Sequence, residues 1–146
     1  MPPVYLRKDR VTRHICRRLV KNFMDVIILS ELKERQMSGY DIICIIYEQF
    51  HLLFSSGTVY FTIYRLERDG LIRGRWSARK RVYTLTPKGE NVLKEIADSH
   101  RVIQEVVARI FSKITRGEFL QRTAVVKRVT GRDGGTSLRS QPPTLS

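Results

Sequence analysis

Apolar residues recur at helical spacing through the first part of the chain. From Val11 to Leu32 they follow one another mostly at steps of three and four, which predicts a helix over about 11–34. The character of the pattern changes near Asn22 and favours a break there. The second part, MDVIILSEL, is apolar on nearly every face and is expected to be buried. Residues 1–10 show no periodicity and are predicted to be a loop or arm.

Two shorter helices follow. Residues 36–39 are predicted to form a turn in which Ser38 caps a helix over 39–50. After a connector at 51–54, Ser55 or Ser56 caps a third helix that ends near residue 68, where Gly70 suits a left-handed C-cap.

Strand composition then replaces the helical pattern. Residues 71–76 and 81–85 predict a β-hairpin with its turn at 77–80. Trp76 is expected to pack at the base of this hairpin, with a role as a stacking platform as the alternative. Thr86 and Pro87 begin a last helix that runs to about residue 115. Residues 131–146, rich in Gly, Ser and Pro, are expected to be disordered.

This order of elements predicts a mainly α (α+β) fold: a winged helix-turn-helix domain with a long C-terminal dimerisation helix. The predicted divisions are a basic N-terminal arm (1–10), the winged domain with its N-terminal helix (11–86), the dimerisation helix (87–116) and a basic tail (117–146).

The net charge of +13 is concentrated at the two ends of the chain. Residues 1–21 carry 7 basic groups and 1 acidic group, residues 22–111 carry 13 and 11, and residues 112–146 carry 7 and 2. Basic ends on a nearly balanced domain act either as arms that touch phosphates or as solubilising tails, and the sequence leaves both open.

The third helix has the composition of a DNA-recognition helix. Val59, Ile63 and Leu66 form an apolar back, and Gly57 is expected to let another backbone approach closely. Hydrogen-bonding groups are supplied by Ser55, Ser56, Thr58, Thr62 and Arg65. On its own, this pattern also fits an ordinary capped amphipathic helix.

The hairpin strengthens the DNA interpretation. Its cations are Arg73, Arg75, Arg79, Lys80 and Arg81, and no acidic residue lies between Gly70 and Gly89. A hairpin does not need this charge to fold, and like charges across strands cost stability, which binding to phosphates would offset. The alternative is a solvated hairpin without a ligand.

The last helix carries a heptad seam that indicates assembly. Its members, spaced alternately by three and four, are Leu93, Ile96, His100, Ile103, Val107, Ile110 and Ile114. We expect this seam to form a homodimer interface, with the first helix packed alongside. An intramolecular antiparallel pair is the alternative, and His100 is either a tolerated partly exposed residue or one that sets register or titrates.

Other classes of protein find little support in the sequence. No catalytic grouping, Gly-rich phosphate loop or metal-ligand spacing is visible, so we expect no enzyme, no cofactor and no metal. The N-terminal residues lack an apolar h-region, so we expect no signal peptide, and no apolar run is long enough to span a bilayer. Cys16 and Cys44 lie in apolar patterns and are expected to be packed, reduced thiols of a cytoplasmic protein, with a redox switch or an intersubunit disulfide as the alternatives.

Three stretches together resemble the PadR-type transcriptional regulators: MSGYDIICIIYEQF, SSGTVYFTIYRLERDGLI and RVYTLTPKGENVL. The resemblance covers about residues 23–111. The joint occurrence of GYDI, GTVY, RLERDGLI and YTLTPKG is specific to the family. Ser56 and Phe61 depart from it at positions where Pro is usual or frequent.

The resemblance implies a homodimeric winged helix-turn-helix protein, usually a repressor. The helix carrying Thr58, Tyr60 and Tyr64 would enter the major groove, and residues 79–81 would reach the flanking backbone or minor groove. The supporting helix would begin near a phosphate, with Ser38, Gly39 and Tyr40. Many relatives bind small hydrophobic effectors, but nothing in this sequence identifies such a ligand.

The sequence therefore predicts a DNA-binding transcriptional regulator whose partner is double-stranded DNA. The affinity is expected to come mainly from the wing and basic arms, and the specificity from the recognition helix. A nonspecific architectural DNA-binding protein and a protein-interaction module that uses the heptad helix are the alternatives.

Overall fold

The structure is a computed structural model that describes residues 9–130, with side chains described for residues 9–116. The chain divides into two units, residues 1–98 and residues 99–146. The described elements, in chain order, are α1 (Arg10–Asn22), α2 (Met24–Glu34), β1 (Met37–Ser38), α3 (Gly39–Phe50), α4 (Ser56–Arg68), β2 (Ile72–Ser77), β3 (Lys80–Leu85) and α5 (Pro87–Thr130).

The first unit has a winged helix-turn-helix fold. Helices α2, α3 and α4 are followed by the hairpin of β2 and β3, and an antiparallel sheet of order β1-β3-β2 joins the hairpin to the chain before α3. The predicted fold class is therefore confirmed, including the long C-terminal helix.

A single cluster of apolar side chains holds these elements together. Each of α2, α3, α4 and the hairpin contributes fully buried residues, among them Ile28, Ile42, Ile63, Ile72 and Tyr83. The apolar face of each element is thus covered by the others, and this shared core holds α4 beside the hairpin.

Local capping signals define the helix ends much as predicted. The Ser38 side chain accepts a hydrogen bond from the amide of Asp41, and Ser55 does the same for Thr58. At the end of α4, Gly70 adopts a φ of 76°, and its amide and that of Leu71 donate to carbonyls of the last helical turn.

Some boundaries differ from the sequence predictions. Met37 and Ser38 were expected in a turn but form β1, paired with Tyr83 and Val82 of β3. Ser77 pairs with Lys80, so the hairpin loop has two residues instead of four. The loop closes because Ala78 takes a left-handed φ of 55°, as short hairpin loops require.

The predicted break in the first helix is confirmed at Phe23, which separates α1 from α2. Helix α5 continues to Thr130, beyond the predicted end near residue 115. Gly117 is less favourable in a helix than alanine by about 1 kcal/mol, but a glycine keeps the backbone amide and carbonyl that helical hydrogen bonds need, so the helix can continue through it. The predicted arm falls mostly on residues 1–8, which lie outside the described residues, as does the predicted disorder of 131–146.

Candidate nucleic-acid interface

Helix α4 presents an apolar back and a polar start, as the sequence predicts for a recognition helix. Val59, Ile63 and Leu66 are buried against the core. Thr62, expected on the polar side, is buried instead, and its hydroxyl donates to the carbonyl of Thr58 within the same helix. At the N-terminus, the hydroxyls of Ser55 and Thr58 lie 2.8 Å apart, and Ser56 is exposed.

The start of α3 lies directly against α4. A Cβ atom on Gly39 would stand 2.5 Å from the hydroxyl oxygen of Tyr60, closer than atoms of side chains normally approach. The close backbone approach expected at Gly57 is not found, because Gly57 faces open space, and it is at Gly39 that a side chain, Tyr60, approaches closely. The ring of Tyr60 in turn lies 5.9 Å from that of Tyr64, measured between centroids.

A cleft of about 550 Å³ separates the start of α3, the middle of α4 and the hairpin. It brings together many of the residues predicted to contact DNA. These are Ser38, Gly39, Tyr40, Tyr60, Tyr64, Arg79, Lys80 and Arg81. The cleft is completed by Asp41, Trp76 and Tyr83, so aromatic rings and cations line the same space.

Trp76 does not pack at the base of the hairpin as predicted. Its side chain is 73% exposed at the mouth of this cleft, opposite Arg81 on the neighbouring strand. Tyr40 and Tyr64 are 70% and 60% exposed. Exposed aromatic rings beside cations are suited to packing against sugars and to stacking on bases or other planar groups.

Several predicted DNA-contacting cations are paired with carboxylates of their own chain. Arg65 of α4 lies 3.4 Å from Asp25 of α2, and Lys80 lies 3.8 Å from Asp41 of α3. Arg81 donates to Glu67 of α4 and so ties the hairpin to the recognition helix. These three side chains therefore have structural roles in the free protein. Arg75 and the loop residue Arg79 are exposed on the hairpin.

Glu67 and Gly74 contribute to this surface and were missed from the sequence. Glu67 Oε2 and Arg81 Nε are both buried without a hydrogen-bond partner among the residues that the structure describes, and a Cβ on Gly74 would collide with the Arg81 side chain. Gly74 thus makes room for the Arg81 guanidinium over the sheet. A glycine inside a strand is a sequence signal for such a close approach.

The capping box of α3 shifts the ionisation of Asp41. The hydroxyl and amide of Ser38 donate to Asp41 Oδ2 over 2.7 and 2.9 Å. These hydrogen bonds lower the pKa of the Asp41 carboxyl, and the nearby Lys80 adds to the effect. Asp41 is therefore an anion at neutral pH and orients Lys80 beside the cleft.

Two tyrosines on this face have raised pKa values. A hydrogen bond with the Cys44 side chain raises the pKa of Tyr40, and burial raises that of Tyr83. Both hydroxyls therefore stay protonated at neutral pH, and Tyr40 presents a neutral polar group on an exposed ring.

The heptad residues of α5 fall into two groups. Within the first unit, Leu93 packs against the domain's own core and Ile96 is half-buried. Within the second unit, Ile103 and Val107 are half-buried, while His100, Ile110 and Ile114 are exposed. Val102 and Val106, which the seam omitted, are exposed as well and widen the apolar surface.

The two cysteines are free thiols, and both are partly exposed rather than fully packed. None of the helices in the described part combines the length and apolarity needed to cross a membrane. Within the same residues, no cluster of His, Cys, Asp and Glu is arranged to hold a metal ion.

Comparison with known proteins agrees with this architecture. The transcriptional regulator PadR-like family matches residues 28–95, from the middle of α2 into the beginning of α5. Residues 28–95 are thus similar to the PadR-like family over rather less than half of the chain. The match includes the whole cleft, β1 and the hairpin, whereas α1 and most of α5 lie outside it. No curated protein matches the chain by sequence.

Solved structures support the same assignment. A PadR family transcription regulator from Clostridium difficile R20291 is 26% identical, with a TM-score of 0.55 over 60% of this chain and 97% of that one. A transcriptional regulator from Clostridium thermocellum is 26% identical, with a TM-score of 0.57 over 62% and 95%. A PadR family regulator from Eggerthella lenta, 22% identical, shares the fold with a TM-score of 0.60 over 68% and 91%.

Proposed function

We propose that this protein binds specific DNA sequences as a homodimer and represses transcription beside them. The observation that carries the proposal is the cleft of the PadR-like domain. There the start of α3, the recognition helix α4 and a cationic hairpin converge, with aromatic rings between them. We assign it no catalytic role.

In this proposal α4, about 56–68, enters the major groove, which is about 12 Å wide and admits one helix. Ser55, Ser56 and Thr58 are at its N-terminal end, and Tyr60, Tyr64 and Arg65 lie farther along. The hydroxyls and exposed rings meet base edges and sugars. Arg65 is paired with Asp25, and both side chains are partly exposed. In the complex, Arg65 would leave this carboxylate and bind a phosphate instead.

The wing, about 71–85, then lies on the flanking backbone or minor groove. Arg75 and Arg79 are exposed and reach phosphates directly. Lys80 and Arg81 are oriented by Asp41 and Glu67 and hold the wing at a defined angle to α4. The capped start of α3, with Ser38, Gly39 and Tyr40, contacts a further phosphate.

Dimerisation is proposed through α5. Val102, Val106, Ile110 and Ile114 are each more than half exposed, and a row of large aliphatic side chains in water favours burial against a second copy. Ile103, Val107 and His100 flank that row, whereas Leu93 packs against the core of its own domain.

We propose the cytoplasm as the compartment, because a regulator meets DNA there. A small-molecule effector is proposed by analogy with the family.

The test is salt-dependent binding to duplex DNA. The protein is titrated into its own upstream region and into random duplex, with the fluorescence of Trp76, the single tryptophan, as a direct signal. A specific regulator binds one duplex orders of magnitude more tightly than random DNA. If the upstream region does not contain the operator, a selected duplex takes its place.

Equal affinity for all duplexes with a steep salt dependence would instead support the architectural alternative, which the +13 charge favours. Loss of all DNA binding at physiological salt would support the protein-interaction alternative.

A further inference from the structure

Helix α1 lies outside the part of the chain that matches the PadR-like family and carries an unusual charge distribution. It contains five Lys and Arg residues, no carboxylate and one histidine. Arg10, His14, Arg17 and Lys21 are spaced by four, three and four and therefore share one face. Arg13 and Arg18 flank that face. We call these six residues the α1 basic face.

The opposite side of α1 belongs to the fold. Val20 is buried, Ile15 and Cys16 are half-buried, and the helix is capped by Asp9. Every member of the basic face is exposed. The charge is therefore presented to solvent by a helix whose other side is anchored.

Arg17 fixes the position of this face relative to the recognition helix. Its guanidinium lies 4.6 Å from the centroid of the Phe54 ring and donates to the carbonyl of Leu53. These two residues immediately precede Ser55, the N-cap of α4. The centre of the α1 basic face thus abuts the turn that leads into α4.

The charge of α1 is not explained by folding. Like charges at spacings of three and four destabilise a helix by a few tenths of a kcal/mol per pair. Arg65, Lys80 and Arg81 each have a carboxylate partner, but among the residues that the structure describes, no ion pair joins a cation of α1 to a carboxylate. An external polyanion would offset the repulsion.

We propose that the α1 basic face is a third DNA-contacting element, which binds the phosphate backbone beside the site occupied by α4. Arg10 and Lys21 are eleven residues apart, a rise of about 16 Å, which matches about five steps of one DNA strand at about 3.4 Å each. This proposal rests on the proposed function for the placement of α4, and its chemistry requires only duplex DNA.

The test compares two triple variants that lose the same charge. Arg10→Gln/Arg18→Gln/Lys21→Gln removes part of the basic face and leaves Arg17 docked. The matched control, Lys94→Gln/Arg101→Gln/Lys113→Gln, removes three exposed cations of α5. Both are checked for folding by circular dichroism and thermal melting. Binding to a labelled random duplex is measured by anisotropy at salt concentrations from 50 to 200 mM.

Each phosphate contact contributes about 0.9 to the slope of log K against log salt, so the α1 triple should lower its magnitude by about 2.7 for each protomer that contacts the duplex. Across that salt range the unmodified protein should lose roughly 40-fold more affinity per contacting protomer than the α1 triple. The control should keep the original slope. Equal slopes for the two triples would overturn the proposal, as would binding of α1 to anionic phosphatidylglycerol vesicles with DNA binding unchanged in the α1 triple.

The same titrations separate the two proposals. An α1 effect on random duplex, without preference for any sequence, would sustain the role of α1 and overturn sequence-specific regulation. Sequence preference with no effect of the α1 triple would sustain sequence-specific regulation and overturn the role of α1. Absence of DNA binding by the unmodified protein would overturn both.

Discussion

There is no room for a side chain at Gly39, because the ring of Tyr60 occupies the space where a Cβ atom would lie. This contact joins Gly39, at the start of α3, to Tyr60 in α4. The ring of Tyr60 also forms part of the cleft wall. A single glycine therefore sets how closely the supporting helix and the recognition helix approach each other.

A methyl group at residue 39 should displace Tyr60 and destabilise the domain. We expect Gly39→Ala to lower the free energy of unfolding by about 1–3 kcal/mol, the usual cost of overpacking. Gly57→Ala is the matched control, because a Cβ there meets nothing within 4 Å. It should be neutral or stabilising by up to about 1 kcal/mol, since alanine favours a helix. Urea unfolding measures both, and equal effects would contradict this account of Gly39.

Asp41 makes the stability of the domain depend on pH. Its pKa is lowered in the fold, so its contribution is complete above the unfolded value, about 3.9, and is lost as pH falls through the lower folded value. Asp41→Asn should therefore be less stable than the unmodified protein at pH 7, and the gap should close in strong acid. Urea midpoints from pH 7 to pH 2 test this. A gap that stays constant throughout would assign the effect to packing.

At the scale of elements, the wing and α4 divide affinity from specificity. Arg79→Ala should weaken binding to every duplex and reduce the salt slope by about 0.9 for each bound protomer, because it removes one phosphate contact per protomer. Thr58→Ala should weaken binding to the preferred sequence and leave random duplex nearly unchanged. Anisotropy titrations on both duplexes give the comparison. Equal losses on all sequences for Thr58→Ala would contradict the assigned roles.

Local signals allowed much of this architecture to be predicted. Ser38, Ser55 and Gly70 act on amides and carbonyls within a few residues, so their effects are visible in sequence. Strand β1 was not predictable in this way. Two residues have no periodicity, and their pairing partner β3 lies more than forty positions along the chain.

The site was predicted less completely than the fold for the same reason. Basic residues in the hairpin are obvious in sequence, but their partners Asp41 and Glu67 lie on α3 and α4. Likewise, alternation along a strand does not say whether Trp76 faces the core or the solvent beyond the sheet's edge.

For the whole molecule, the exposed apolar row on α5 predicts self-association. Ile110→Glu should convert the protein to a monomer at micromolar concentrations, because a charge would be buried in the proposed interface. Gln104→Glu introduces the same charge on another face of the same helix and should leave a dimer. Sedimentation velocity distinguishes the two masses. A monomeric unmodified protein, or a dimer unaffected by Ile110→Glu, would contradict the assignment.

Selection of duplexes from a random pool tests the central claim most directly, because it asks for specificity and symmetry in one experiment. A dimer with one recognition helix per protomer should enrich an inverted repeat whose half-sites are separated by about one turn, 10–10.5 base pairs, or a multiple of it. Enrichment of an unrepeated site would contradict dimeric binding, and no enrichment despite tight binding would contradict sequence-specific regulation.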